Sequence, residues 1–410
     1  MRFENYHFSS EIKKSLEKLG FVRPTDIQYK AIPSIMKGED VLAIAQTGTG
    51  KTAAFAIPLL NMLHNRKKLY RPEGIKCIIM VPTRELAIQI TEVFKQIGKH
   101  TRVKTVCIYG GVDQEPQIES LQKGADILVA TPGRMFDLVN QQHIYLDRID
   151  TLVVDEADLM LDLGFIKDIQ DLIKYLPKKR QTLFFSATIN KEIKDLAYSL
   201  VTNPIRIQIS PNDPVSKNVD HAVAYIDMDD KRFFLERMLK ENPESKILVF
   251  VRTKVRAERV YKAMERVGIK TQTIHGDKAQ EDRLSIMKNF KSGATKVLIA
   301  TDLSARGIDI PGVEYVINYD LPDQAESYVH RIGRTGRGRS RGKALSFCSQ
   351  QEQEILTEIE KFIGKDINIA EITHADYNDT VSFSEDSSAD WKTLMKDFDE
   401  APKFKKKKKK

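Results

Sequence analysis

Tryptophan occurs once and cysteine three times in this 410-residue chain. The cysteines, Cys77, Cys107 and Cys348, are odd in number, far apart and set among apolar residues. No CxxC pair and no His/Cys cluster of zinc spacing accompanies them, which excludes a disulfide scaffold and a structural zinc site. They read as small core residues in a reducing cytosol. Long apolar runs are also missing. The longest uncharged one, residues 53–60, falls far short of the ~20 residues a membrane-crossing helix needs. The opening Met1-Arg2-Phe3-Glu4-Asn5 lacks the apolar segment of a secretory signal. A soluble, cytoplasmic chain with no membrane partner is expected. Nor is there a platform of base-stacking aromatics, since Phe184, Phe185 and Phe250 sit in strand patterns and read as core.

What is present suffices for real cores: 41% of residues are apolar and 30% charged. At roughly 100–200 residues per domain the length implies two or three domains. The net charge of +8 is unevenly distributed. From Ala375 onward nine lysines face eight acids, leaving +7 on residues 1–374. The tail itself is polarised, acidic and Ser-rich up to Glu400 and then ending in Lys403 and Lys405 to Lys410. A mildly basic body with a lysine end fits a polyanionic partner as well as a merely soluble surface.

Short β-rich runs alternate with helical patterns, which predicts α/β construction on parallel sheets. In the first half strands are expected at 41–45, 76–81, 103–109, 127–130, 151–154 and 182–186, with an amphipathic helix over 84–97. At Ser210-Pro211-Asn212-Asp213-Pro214 the pattern breaks into turn formers and reads as a linker. It restarts with strands at 222–226, 246–251, 270–274, 296–300, 315–318 and 344–347. The expected organisation is one lobe over 1–210, a linker over 211–218, a second lobe over 219–370, and a disordered tail over 371–410. No short-period repeat is visible.

Ala45-Gln46-Thr47-Gly48-Thr49-Gly50-Lys51-Thr52 follows a strand and precedes a helical pattern. In that context Gly48 and Gly50 let backbone amides cradle phosphate, Lys51 reaches the β/γ-phosphates and the Thr52 hydroxyl ligates Mg²⁺. The generic pattern begins with glycine, and here Ala45 stands in that place. Leu152-Val153-Val154-Asp155-Glu156-Ala157-Asp158 supplies the acidic partner. Asp155 would hold Mg²⁺, and Glu156 would lie beside the attacking water.

Asp-Glu-Ala-Asp at 155–158 behind that loop resembles the DEAD-box RNA helicases, and further motifs follow in the family's order from Phe3 to about residue 350. Gly20-Phe21, Pro24-Thr25 and Gln28 resemble the Q motif, with Phe3 where the family keeps an aromatic. The resemblance implies that Phe3, Phe21 and Gln28 contact the nucleotide and that Gln28 reads the adenine edge of ATP. It implies RNA-backbone contacts for Pro82, Thr83, Arg84, Gly110, Gly111, Thr131, Pro132, Gly133 and Arg134 in the first lobe. In the second lobe it implies them for Arg252, Thr253, His275, Gly276, Thr301 and Asp302. Ser186-Ala187-Thr188, with His330 and Arg331, would couple ATP state to strand separation. Gly307 and Asp309 would meet the ribose. Gln280 to Arg283 match a further motif.

Two tandem RecA-like domains are the implied fold, and sequence-independent RNA unwinding with ATP and Mg²⁺ the implied activity. The short ends and core are similar to the RhlE-like branch. Arg334 and Arg337 would neutralise charge on the transferred phosphoryl group, whereas composition alone reads them as part of a basic loop with Arg339, Arg341 and Lys343. Because those arginines and Lys51 lie in different lobes, ATP must sit between them and hydrolysis requires closure. Alone, each of these RNA candidates is more often a turn or a helix cap. Two rivals remain, a DNA-directed motor and a noncatalytic RNA clamp. A monomer is the default.

Overall fold

The computed structural model describes residues 1–46, 48–69, 74–209, 215–305, 310–336 and 340–384. Its first lobe is a seven-stranded sheet of β1 (Val41–Ala45), β2 (Cys77–Met80), β3 (Thr105–Ile108), β4 (Ile127–Ala130), β5 (Thr151–Val154), β6 (Gln181–Ser186) and β7 (Ile205–Ile209). The second lobe repeats the plan with β8 (Val219–Tyr225), β9 (Ile247–Val251), β10 (Thr271–Ile274), β11 (Val297–Thr301), β12 (Tyr315–Asn318), β13 (Gly342–Cys348) and β14 (Asn368–Ile369). Strand order is β3-β4-β2-β5-β6-β1-β7 in one and β10-β11-β9-β12-β13-β8-β14 in the other. Adding seven to each label converts the first order into the second, and the pairings are parallel throughout. The chain is therefore a two-lobed repeat whose copies share topology without legible sequence periodicity.

Alternation along buried strands sends successive side chains to opposite faces, and helices cover both. In β1, Val41, Ala43 and Ala45 face one apolar cluster while Leu42 and Ile44 face the other. Phe55 in the helix Lys51–Leu69 packs on Phe185 of β6 and Phe94 of the helix Arg84–Ile97, with ring centroids 5.1 and 6.0 Å apart. Burying each such ring contributes about 1.5–3 kcal/mol. Phe184 and Phe250 are likewise core, and all three cysteines are free thiols.

Three elements differ from the sequence expectation. The edge strands β7 and β14 were not anticipated: β7 keeps only Ile207 buried, and β14 has two residues, both exposed. The third is the helix His374–Phe383, in a stretch expected to be disordered. It packs on the helix Lys231–Glu241 through Tyr377 against Phe234, centroids 4.9 Å apart, and through Arg237 Nη1 donating to Thr380 Oγ1 at 2.6 Å. Polar and aromatic contacts hold it, so no apolar stripe marks it in sequence. The second lobe thus continues past residue 370. Residues 211–214 of the expected linker and 385–410 of the tail lie outside the described residues.

Candidate functional site

The buried strand β1 ends at Ala45, and the loop that follows opens the helix Lys51–Leu69. Gly50 takes φ 92°, and a Cβ there would lie 2.4 Å from Gln28 Nε2, so only glycine fits. Gln28 Nε2 donates to Gly50 O at 3.1 Å while its Oε1 accepts from the Thr25 amide at 3.0 Å. The Gln28 amide thus ties the helix Asp26–Met36 to the loop and keeps a second N–H and a second lone pair. Thr49 Oγ1 closes the turn on Gln46 O at 2.7 Å. Lys51 is buried, and its ammonium has no hydrogen-bond partner among the described residues. An unpaired buried cation costs several kcal/mol, which an anion at the loop would offset. Thr52 follows it, half-buried, in the first helical turn. Thr47 lies outside the described residues.

β5 neighbours β2 and delivers Asp155, whose amide donates to Met80 O at 3.1 Å. Asp155 is buried, and burial pushes its carboxyl up against the pull of Lys51. Its Oδ1 accepts from the Glu156 amide at 3.0 Å. Glu156 sits in the left-handed region, φ 50° and ψ 51°, a conformation an L-residue adopts at a cost of about 1–3 kcal/mol. Burial pushes its carboxyl up to about 7; Lys51 and Arg334 pull against this and Asp155 adds to it. Asp158 Oδ2 accepts the Ala187 amide at 3.2 Å, which ties the acid motif to Ser186-Ala187-Thr188. The buried Ser186 hydroxyl has no partner among the described residues.

Two cavities open between the lobes here. One, of about 640 Å³, is lined by Glu156, Asp158 and Thr188 on one side and by Asp323, His330 and Arg334 on the other. The second, of about 380 Å³, sets Gln46, Gly48 and Thr49 against Asn218, His330 and Gly333. Arg334 is held by its Nε donating to His330 O at 3.1 Å. Arg331 grips Asp302 in a bidentate pair at 2.5 and 2.7 Å, donates to Asp320 O at 2.7 Å and lies over the Phe250 ring. The arginine segment is thereby fixed to the second sheet. Arg337, Gly307 and Asp309 lie outside the described residues.

Phe3 and Phe21 meet edge-on with centroids 5.6 Å apart, and Phe3 belongs to the first lobe's core. The cavity they line, about 310 Å³, includes no residue of the glycine loop. The structure packs the two rings against each other.

The RNA candidates all follow the C-terminal ends of equivalent strands, β2, β3 and β4 in one lobe and β9, β10 and β11 in the other. Thr83 and Thr253 are helix N-caps, accepting from Leu86 N at 3.3 Å and Arg256 N at 3.2 Å. Thr131 precedes Pro132, the first residue of the helix Pro132–Asn140, which also contains Gly133 and Arg134. Arg134 Nη2 donates to Val112 O at 2.8 Å. Gly110 and Gly111 lie against the Arg84 guanidinium, and a Cβ on Gly111 would come 2.1 Å from Arg84 Nη1. In the second lobe the charged candidates are already engaged. Arg252 pairs with Asp323 at 3.1 Å and Glu352 at 3.3 Å, and His275 Nε2 lies 2.8 Å from Glu258. Asp302 is held by Arg331 in an internal ion pair. Gly276 and the Thr301 hydroxyl, 3.4 Å from Ser304 Oγ, complete that edge.

The segment Pro82 to Leu86 and the segment Gln280 to Arg283 both read as motifs, but their pairing was not expected. Glu85 accepts from Arg283 at 2.9 Å and from Gln280 Nε2 at 3.2 Å, while Arg84 Nη1 donates to Gln280 Oε1 at 3.2 Å. These bonds join the starts of the helices Arg84–Ile97 and Gln280–Ser292 across the lobes. Partners almost 200 residues apart leave no local signal.

Glycine loop and acid pair in one lobe, arginine in the other, define a nucleoside-triphosphatase of the two-lobed kind. Residues 25–196 match the DEAD/DEAH box helicase family and residues 230–339 the helicase conserved C-terminal domain. The chain is 39% identical over 385 residues to the DEAD-box ATP-dependent RNA helicase RhpA of Helicobacter pylori, covering 94% of this chain and 77% of that protein. The chain belongs to the DEAD/DEAH box helicase family. S. cerevisiae Dbp5 bound to RNA and ADP BeF3 is 30% identical, with TM-score 0.81 over 92% of this chain and 97% of that one. A single-substitution variant of S. cerevisiae Dbp5 bound to Nup159, a variant Gle1, IP6 and ADP, equally 30% identical, superposes with TM-score 0.65 over 93% of this chain and 100% of that one. In this chain the Glu85–Arg283 bridge joins the two lobes.

Proposed function

We propose that the chain is an RNA-stimulated ATPase that closes its lobes on ATP and RNA and separates short duplexes without reading base sequence. The observation that carries this is the cleft itself: the unpartnered Lys51 ammonium and the Asp155–Glu156 pair in one lobe, with Arg334 facing Glu156 from the other. A buried cation without a partner and a buried carboxylate fit a nucleotide phosphate and a divalent ion better than any apolar ligand. Thr52 and Asp155 are the residues that would hold Mg²⁺, which when bound supplies charge neutralisation at the β/γ-phosphates. No group of three metal-ligating side chains occurs among the described residues, so such an ion would rely on the nucleotide for further ligands.

The residues then divide the work. Lys51 binds the terminal phosphates, and ionised Glu156 takes the proton of the attacking water. Arg334 offsets charge developing on the transferred group. The Ala187–Asp158 bond links that chemistry to the end of β6 and to Ser186-Ala187-Thr188. At the strand ends that carry the RNA candidates, helix starts, glycine backbone and the hydroxyls of Thr83, Thr131, Thr253 and Thr301 suit phosphates and 2′-hydroxyls, and none of these groups reads a base. Both halves of the site lie in one chain, so a monomer suffices. No helix among the described residues is long and apolar enough to cross a membrane, and a cytoplasmic setting fits the free buried Cys77 and Cys348.

Steady-state ATP hydrolysis with Mg²⁺ tests the reading against no nucleic acid, single-stranded RNA, duplex RNA and matched DNA. Stimulation by RNA alone is expected. Equal stimulation by DNA would make the chain a DNA-directed motor, and no hydrolysis with any of them would make it a noncatalytic clamp.

A further inference from the structure

At the base of the second lobe, away from the cleft, lies a groove of about 850 Å³. Leu239, Ile269 and Val297 form its floor, and Lys240, Lys270 and Lys296 stand around it. Glu265, bonded to Tyr261 OH at 3.0 Å, is the acid on that rim. Lys240 pairs with Glu236 at 2.8 Å, and Lys296 lies 3.7 Å from the exposed Glu244. An apolar floor with a basic rim suits an acidic segment that also carries apolar anchors.

The chain delivers such a segment to this place. The helix His374–Phe383 runs along the helix Lys231–Glu241 in the same direction, Tyr377 meeting Phe234 and Phe383 meeting Lys240, whose Nζ lies 5.2 Å from the Phe383 ring centre. Ser384 Oγ then donates to Glu236 Oε2 at 2.5 Å. The described chain ends there, beside the groove-lining Lys240. The sequence beyond begins Glu385-Asp386 and continues with Asp390, Asp397, Asp399 and Glu400. Among these acids Trp391, Leu394, Met395 and Phe398 fall at the i, i+3, i+4, i+7 spacing of one helical face. From Ser384 to Trp391 the chain can span up to about 25 Å, enough to enter a groove that starts at the exit point.

We propose that residues 385–400 dock in cis in this groove, Trp391, Leu394, Met395 and Phe398 on the floor and the acids against Lys270 and Lys296. Tethering makes the contact intramolecular, so weak individual contacts suffice. Docking would also fix the terminal lysines at the base of the second lobe, away from the cleft.

Trp391 is the sole tryptophan, so its fluorescence reports this segment alone. In the full chain its emission is expected to be blue-shifted and protected from acrylamide, independently of protein concentration. The Lys270→Glu/Lys296→Glu chain should undock about tenfold more readily, with a red shift and a higher quenching constant, because two surface charge pairs become repulsive. RNA-stimulated ATPase serves as the folding control for that variant. Charge reversal of Asp397 and Glu400 to lysine in the same variant should restore protection. A fully solvated Trp391 in the unaltered chain overturns the proposal, as does protection that ignores the groove variant. Protection that appears only on concentrating the protein also overturns it, assigning the segment to a second copy.

Discussion

The two lobes place a lysine at the same point and use it in opposite ways. β1 and β8 are equivalent strands; loops 46–50 and 226–230 follow them, and Lys51 and Lys231 open the next helices. In the first loop Gly48 and Gly50 leave the backbone open, and Lys51 is left without a partner among the described residues. The second loop has no glycine and carries Asp227, Asp229 and Asp230, with Tyr377 OH donating to Asp230 Oδ2 at 2.8 Å. There Lys231 turns inward, donating to Tyr319 O, Phe347 O and Glu352 Oε2 at 2.9, 3.1 and 2.5 Å. Burial pushes the Glu352 carboxyl up, yet Lys231 and the Ser349 donors outweigh it and hold the group below its ordinary value. One topology thus yields a phosphate cradle where charge is left unsatisfied, and a structural clasp where an internal acid satisfies it.

Replacing each lysine separates the two uses. Lys51→Ala should lower kcat for ATP about 10³-fold, roughly 4 kcal/mol of barrier, and shift the melting temperature less than Lys231→Ala does, since Lys51 makes no hydrogen bond among the described residues. Lys231→Ala removes the nearest charge partner of buried Glu352, leaving it Arg252 at 3.3 Å and the Ser349 donors, and should cost about 3 kcal/mol of stability. Thermal melts beside ATPase assays check both. A Lys231 variant that melted normally would mean that the clasp is not structural.

How much of this was legible in the sequence follows from the same contrast. Asp155, Glu156 and Lys51 announce themselves because phosphate chemistry demands fixed residue types at fixed spacing after a strand. The buried strands read clearly because both their faces are apolar. What stayed hidden is what depends on distant partners. The Lys231–Glu352 clasp closes across 121 residues, and the Gln28–Gly50 bond across 22. Thr83 and Thr253 carry the plain capping role that composition alone predicted, in the place where the motifs put RNA. Capping and phosphate binding draw on the same exposed helix-start amides, so one residue type serves both.

The bridge between the lobes should give a smaller effect than either lysine. The Glu85 and Arg283 side chains are 6% and 13% exposed, so removing one leaves the other poorly solvated. Arg283→Met should weaken the closed arrangement by about 2 kcal/mol, a roughly 30-fold rise in the RNA concentration for half-maximal ATPase. Because the bond joins lobes and not a core, the melting temperature should hold. A fall in melting temperature with unchanged RNA dependence would assign the pair to folding.

The smallest effect sharpens the comparison most, because it asks whether unsatisfied charge is what the working lobe tolerates. In the second lobe the acid beyond β12, Asp320, accepts the Arg252 amide at 3.0 Å and pairs with Arg256 at 3.0 Å. Its counterpart Glu156 has a carboxyl pushed up to about 7 chiefly by burial. Between the ordinary carboxyl value and about 7 the folded chain therefore binds more protons at this site than the unfolded chain. Stability must then fall as pH rises through that window. Ligand-free Glu156→Gln carries no such charge. It should be more stable than the unaltered chain by about 1–2 kcal/mol at pH 8 and indistinguishable from it at pH 5, while turnover is lost. Calorimetry at the two pH values decides the matter. Equal stabilisation at both would trace the gain to something other than the ionised carboxylate, and no gain at either would show that the two lobes bear their acids at equal cost.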